Sequence, residues 1–196
     1  MFPEQIIFIT LLINFVGYFF YIKDIFYGQN KPNLVSWFIW MLAPFIGVFF
    51  QVKAGVGLSA LPVFLAGFGP FIVLMVLMWN KNAYWKISSL DMVCGGLALL
   101  SLIFYILTHN LGLSILFAIL SDALAFIPTF IKSWKLPDNE SGYVYLVGII
   151  GNTLGLLIIK DWSFAIYSFG VYLIIFNFIE VVILYRKKIF KKLFFS

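Results

Sequence analysis

The sequence predicts an all-α membrane protein with seven transmembrane helices. Of its residues, 63% are hydrophobic and only 11% are charged, and the mean hydropathy is +1.06. A soluble domain carries about 25% charged residues, so this composition is typical of a chain embedded in lipid. Two further observations support the prediction: the apolar residues form seven runs, and the basic residues gather at alternate breaks between them.

Each apolar run is long enough, or nearly so, to cross a hydrocarbon core of about 30 Å. In the breaks, Ser88 and Ser89 are candidate N-caps, and His109 is expected to be solvated in a short loop. The predicted helices are Ile6–Ile22, Val35–Val52, Ala54–Trp79, Leu90–Thr108, Leu111–Trp134, Gly142–Ile159 and Phe164–Tyr185.

The basic residues predict the orientation of the chain. Cytoplasmic loops of membrane proteins carry an excess of Lys and Arg. Eleven of the thirteen basic residues fall on the side of the C-terminus, which predicts a cytoplasmic C-terminus and an external N-terminus. Only Lys53 and Lys160 fall on the other side. The eleven are Lys23, Lys31, Lys81, Lys86, Lys132, Lys135, Arg186, Lys187, Lys188, Lys191 and Lys192.

An internal repeat follows from the lengths and hinges of the runs. Lys23 superposes on Lys132 when the chain is shifted along itself, and the second and third helices then superpose on the sixth and seventh. The predicted plan is 3+1+3, with two parallel triplets and a site between them near midplane. It divides the chain into a first repeat (1–80), a linker helix (81–109), a second repeat (110–185) and a basic tail (186–196).

This plan resembles the SWEET, SemiSWEET and PQ-loop transporter superfamily. Pro128-Thr129 in the fifth helix stands where that family often has Pro-Gln, and Asn177 matches a sugar-facing Asn of the seventh helix. The first helix has Phe19-Phe20 in place of the proline, and Phe68-Gly69 stands where the third helix would carry its Asn. The resemblance implies a sugar transporter that works by alternating access, with prolines as hinges.

Polar residues inside the apolar runs are the candidate solute-binding groups. Lipid should not face them, and an acid at the bilayer centre calls for a partner, a cavity or a proton. We expect Asp122 and Glu180 to couple transport to protons. Two alternatives stay open: Asp122 bonds Asn14 or Asn152 as interhelical glue, and Glu180 snorkels or pairs with Lys or Arg. The predicted solute-binding residues are Asn14, Ser121, Asp122, Asn152 and Asn177.

A second set of residues is predicted to act as hinges or gates. Prolines and glycines weaken a helix, and paired tryptophans can close a path. The alternative for the tryptophans is an interfacial aromatic belt that also includes Trp79, Trp85 and Trp134. The predicted hinge and gate residues are Pro128, Thr129, Gly69, Pro70, Trp37 and Trp40.

The predicted function is movement of a small polar solute, a sugar or similar, across a plasma (inner) membrane by a multi-pass protein. A vitamin, nucleoside or amino-acid carrier of the same fold is an alternative, as is a non-transporting receptor like the KDEL receptors. The sequence contains no hydrolase, nucleotide-binding or metal motif, so we expect no enzyme, no cofactor and no nucleic-acid partner. The tail from Arg186 is expected to lie on anionic lipids, and a homo-oligomer stays open.

Overall fold

The computed structural model describes residues 4–53, 57–80, 86–108, 110–160 and 162–194, and within these ranges the chain forms seven α-helices and no β-strand. Short 3₁₀ turns precede α1 and α3 and follow α5. The helices are α1 (Ile7–Phe26), α2 (Leu34–Lys53), α3 (Leu61–Trp79), α4 (Ser89–Leu107), α5 (Leu111–Lys135), α6 (Tyr143–Leu157) and α7 (Phe164–Phe194).

The surface and interior of the bundle are arranged as lipid requires. Helices α1, α3, α5 and α7 are long and apolar enough to cross a bilayer, and α2, α4 and α6 contain shorter apolar segments. Leu12, Phe15 and Met78 point outward with 66% or more of their surface exposed, whereas Asp122 and Glu180 are at most 1% exposed. Polar groups in a membrane span are expected inside, away from lipid. The chain is a helical membrane protein.

Local chemistry explains where the helices begin. Ser88 caps α4 by accepting from the Asp91 amide, and the Asp91 carboxylate accepts from the Ser88 amide, which completes a capping box. The predicted cap at Ser88 is confirmed. Helix α3 starts seven residues later than the predicted run, because Gly57 has a positive φ of 67° and Pro62 favours the first helical turn.

Helix α7 continues past Tyr185 into the basic tail as far as Phe194. The side chains of the tail from Lys188 onward lie outside the described residues, so its expected contact with anionic lipids has no structural description. The predictions for Trp85 and His109 also fall outside the described residues. Trp79 and Trp134 are exposed, as an interfacial belt would have them.

The helices pack in two sets that contact each other. Helix α3 contacts α1 and α2, and α7 contacts α5 and α6; between the sets, α1 contacts α6, and α2 contacts α5. Helix α4 packs mainly along α5. One end of the bundle, where α1, α3 and α5 end, is called the Glu140 end below, and the opposite end is called the Gln51 end.

Candidate functional site

A cavity of about 70 Å³ lies inside the bundle, where six of the seven helices meet. This volume has room for a few water molecules and is below the 300–1,000 Å³ of sites that hold drug-sized ligands. Helix α4 contributes nothing to its walls. The lining residues are Asn14, Tyr18, Trp37, Trp40, Pro44, Pro62, Ala66, Pro70, Asp122, Phe126, Val144, Tyr145, Val147, Gly148, Gly151, Asn152, Leu173 and Asn177.

Three of the predicted asparagines line this cavity and share one hydrogen-bonding pattern. Asn14, Asn152 and Asn177 each donate one amide N–H to the carbonyl four residues earlier on their own helix, at 2.6–2.8 Å. That bond fixes the side chain against its helix. The amide oxygen and the second N–H have no protein partner among the described residues, so each asparagine can still donate and accept one bond.

Glycines make room for two of these asparagines. A Cβ added to Gly148 would lie 3.1–3.2 Å from the amide atoms of Asn177, and one added to Gly151 would lie 3.4 Å from the Asn14 amide nitrogen. Both glycines belong to α6 and line the cavity. The small face of α6 therefore admits polar groups from α7 and α1, besides allowing close helix packing.

Asp122 lies in the cavity wall and is held by a residue that the sequence did not single out. The Tyr172 hydroxyl of α7 donates to Asp122 Oδ2 at 2.9 Å, and the Trp40 indole N–H lies 3.4 Å from the Asp122 backbone oxygen. Neither Asn14 nor Asn152 bonds the carboxyl group among the described contacts. Tyr172 orients one carboxyl oxygen, and Oδ1 has no protein partner among the described contacts.

Aromatic rings form much of the remaining wall. Trp37 and Trp40 are 1% and 6% exposed, so both lie inside the bundle and not in an interfacial belt. Their ring centroids are 5.5 Å apart, and Trp40 packs against Phe126 at 4.4 Å. The indole N–H of Trp37 is buried and has no partner among the described residues. Because this nitrogen has almost no accessible surface, the Trp37 ring and not its N–H forms this part of the wall.

The predicted hinge residues separate into two groups. Pro70 of α3 lines the cavity, and Gly69 lies behind it, because an added Cβ there would overlap the Tyr18 ring. Pro128 and Thr129 of α5 do not line it. The Thr129 hydroxyl donates at 3.1 Å to Ser36, which in turn donates at 2.6 Å to the carbonyl of Ala125. This pair of bonds ties α2 to α5 beside the proline.

Ser121 and Glu180 lie away from the cavity. Ser121 is fully buried and its hydroxyl has no partner among the described residues, but it is not one of the lining residues. Glu180 is also fully buried and accepts a short bond from Ser133, while its second oxygen has no described partner. Arg186 does not pair with it and instead donates to the carbonyls of Ser133 and Ile183.

Four buried polar residues, here called the Glu140 cluster, lie between Trp37 and the Glu140 end of the bundle. They are Glu140, Lys132, Tyr21 and Tyr145. Lys132 forms an ion pair with Glu140 Oε2 and donates to the carbonyl of Lys31 at 2.7 Å. Tyr21 and Tyr145 donate to Glu140 Oε1 at 2.6 and 3.2 Å. Helices α1, α5 and α6 are thereby joined at one carboxylate.

Toward the opposite end the cavity approaches a smaller one of about 20 Å³. The two share Pro62 and Asn152, and the smaller one extends to Gln51, whose buried side-chain oxygen has no partner among the described residues. The two cavities therefore follow one another toward the Gln51 end, while the Glu140 cluster lies at the other end.

Sequence reasoning missed the tyrosines, the Glu140 cluster and two proline wall residues, Pro44 and Pro62. Glu140 lies in a hinge rich in polar residues, which favours a solvated loop, and Lys132 lies near a helix end. The available signal was the tyrosines, because a Tyr in an apolar run carries a hydroxyl that needs a partner.

Comparison of the chain with protein-family models, with curated proteins and with solved structures finds no match in any of the three.

Proposed function

We propose that the protein is a SWEET/PQ-loop-like transporter or facilitator that moves a small polar solute across a plasma (inner) membrane by alternating access. The observation that carries the proposal is the cavity, where Asn14, Asp122, Asn152 and Asn177 converge from α1, α5, α6 and α7. Solute sites in transporters built from repeats lie in such a place, between the repeats and near midplane.

The helix packing supports a 3+1+3 plan. Exchanging the two triplets turns the α1–α3 contact into α5–α7, the α2–α3 contact into α6–α7, and the α1–α6 contact into α5–α2. All of these contacts are present. The proposal therefore treats α1–α3 and α5–α7 as two parallel repeats, α4 as the linker, and the Glu140 end, which carries most of the basic residues, as cytoplasmic.

The charge of the cavity favours a neutral or cationic solute. No lysine, arginine or histidine is among its lining residues, and Asp122 is the lining carboxylic acid. An anion would face that acid without a compensating cation in a medium of low dielectric constant, which is unfavourable. Aromatic walls suit the apolar face of a sugar as well as the ring of a nucleoside or vitamin. Asp122 and Glu180 are the acids proposed to couple transport to protons.

Alternating access requires that one end be closed while the other admits solute. In the conformation described here the Glu140 cluster and the Trp37–Trp40 pair close the Glu140 end, and a second, smaller cavity continues toward Gln51. Opening the cytoplasmic side would require Lys132 and Glu140 to part. Pro44, Pro70 and Pro128 give α2, α3 and α5 points at which to bend.

The test combines ligand binding and flux. Purified protein is screened by thermal shift against sugars, nucleosides, vitamins and amino acids at pH 5 to 8, and a hit is followed by uptake into proteoliposomes. A ligand at a hundredfold excess over its Kd stabilises the folded state by about 2.7 kcal/mol. We expect Asp122→Asn and Asn152→Ala to abolish the hit and the uptake, and Asp122→Asn also to remove any pH dependence of uptake.

The matched control is Thr153→Val. Thr153 follows Asn152, bonds only its own helix and faces outward, so its loss should leave binding and uptake unchanged. Binding without uptake would replace the transporter with a receptor of the KDEL-receptor kind. An absence of any hit, with both cavity variants merely less stable, would make the polar residues interhelical glue and refute the proposal.

A further inference from the structure

A large apolar groove lies on the outside of the bundle, apart from the polar cavity. It is open between α2, α3 and α4, and its volume of about 600 Å³ is typical of a ligand-binding site. We call it the methionine groove. It is lined by Leu34, Val35, Phe38, Ile39 and Met41 of α2, by Phe71, Leu74, Met75 and Met78 of α3, and by Met92, Gly95, Gly96 and Leu99 of α4.

The methionines of the chain are concentrated in this groove. The sequence has five, and apart from Met1 all of them, Met41, Met75, Met78 and Met92, are in the lining. Methionine is unbranched, flexible and polarizable, and surfaces that must fit variable apolar ligands use it heavily. None of the lining residues is charged, so the groove is suited to a flexible hydrocarbon.

The shape of the groove fits a single chain better than a helix. On each of the three helices the first and last lining residues are seven positions apart, which is a rise of roughly 10 Å at about 1.5 Å per residue. A helix from a second copy of this protein is itself about 10–12 Å wide and would need a trough that follows the full thickness of the membrane. A hydrocarbon chain needs only a slot of this length in the half of the bilayer nearer the Glu140 end.

The two glycines of α4 define the slot. A Cβ added to Gly95 would meet Val35 at 2.5 Å, so this glycine brings α4 against α2 and closes the floor. A Cβ added to Gly96 would meet nothing within 4 Å, so this position opens into the groove. One glycine sets the helix contact and the next leaves the space.

Charge at the mouth of the groove indicates the kind of lipid. Leu34, Met78 and Met92 lie where α2 begins, α3 ends and α4 begins, and the exposed Lys86 precedes α4 at that same end. A lysine at the membrane surface attracts an anionic headgroup by about 1 kcal/mol.

We infer that the methionine groove binds one acyl chain of an anionic phospholipid, which remains bound when the protein is extracted and fills the space between α2, α3 and α4. The inference does not depend on transport. It requires only that the helices cross a bilayer, where an apolar slot open to lipid takes up hydrocarbon.

Native mass spectrometry of the detergent-purified protein tests it, with phosphatidylglycerol and phosphatidylcholine supplied in turn. We expect one bound phospholipid on the monomer, occupancy at least fivefold lower in Gly96→Leu, and a preference for phosphatidylglycerol that falls about fivefold in Lys86→Gln. Leu97→Phe is the control, because Leu97 is an exposed side chain of α4 outside the groove.

Leu99→Trp fills the same slot from a different position and should also lower occupancy, which guards against a folding defect specific to Gly96→Leu. Equal lipid occupancy in the wild type and in both filling variants would overturn the inference, as would a wild type that retains no lipid. A dimer that both filling variants abolish would also overturn it, because the occupant would then be a second copy of the chain.

Discussion

Removing the carboxylate of Glu140 is expected to destabilise the bundle strongly. In Glu140→Gln the ammonium of Lys132 stays buried, at 1% side-chain exposure, with the Lys31 carbonyl and a neutral amide as neighbours. Breaking a buried ion pair by removing one partner costs about 3–5 kcal/mol, because the other charge is left uncompensated. For a chain of this size, that corresponds to a loss of roughly 6–20 °C in the unfolding temperature.

Cys94 offers a direct assay for this loss. It is the one cysteine of the sequence and it is buried, so a thiol-reactive fluorophore reports the unfolding of the bundle. The double variant Lys132→Met/Glu140→Gln is the control: it removes both charges but keeps an amide oxygen to accept from Tyr21 and Tyr145, and it should recover most of the lost stability. Glu140→Gln as stable as the wild type, or a double variant less stable than the single one, would refute the reasoning.

Four other substitutions test separate positions, with Gly96→Ala as the contrast to Gly17→Ala. Gly17→Ala should destabilise by about 1–3 kcal/mol in the same assay, because its Cβ would lie 2.5 Å from Val147, whereas Gly96→Ala should be neutral or stabilising. Ser88→Ala should cost about 1 kcal/mol through the lost cap of α4, and an unchanged midpoint would contradict this. Trp37→Phe removes the unpaired N–H together with part of a fully buried ring that packs against Tyr21 and Trp40, so it should destabilise by about 1–3 kcal/mol, and an unchanged midpoint would contradict this.

The polar residues of the cavity were predictable because exposing a polar side chain to hydrocarbon costs free energy. Asn14, Asp122, Asn152 and Asn177 are polar groups within apolar runs, and the cost of exposing them to hydrocarbon places them inside. That argument applies to every polar residue of a helix, so it could not separate Ser121 and Glu180, which are buried away from the cavity, from those that line it. Whether a buried polar residue faces the cavity or a neighbouring helix depends on how each helix is rotated about its axis, and that rotation is set by tertiary packing.

The closed end was not predictable for a different reason. Glu140 lies in a turn between helices, where the sequence favours a solvated carboxylate, and its burial depends on two tyrosines and a lysine contributed by three helices. Partners 119 residues apart, such as Tyr21 and Glu140, are brought together by helix packing and leave no local pattern. For Trp37 and Trp40 the sequence allowed a belt or a gate, and their burial excludes the belt.

The polar atoms of the Glu140 cluster and those of the cavity asparagines differ in their hydrogen bonding, and this difference supports a binding role for the cavity. At the Glu140 cluster both carboxylate oxygens are paired, and the Lys132 ammonium has two partners. In the cavity, Asn14, Asn152 and Asn177 each keep an amide oxygen and an N–H without protein partners among the described residues. An unmade bond at a buried polar group costs about 1–3 kcal/mol, and Ser121 and Glu180 bear this cost singly, whereas the three asparagines converge on one space. Unpaired donors and acceptors that face one cavity are the arrangement that a passing polar solute can satisfy and then release.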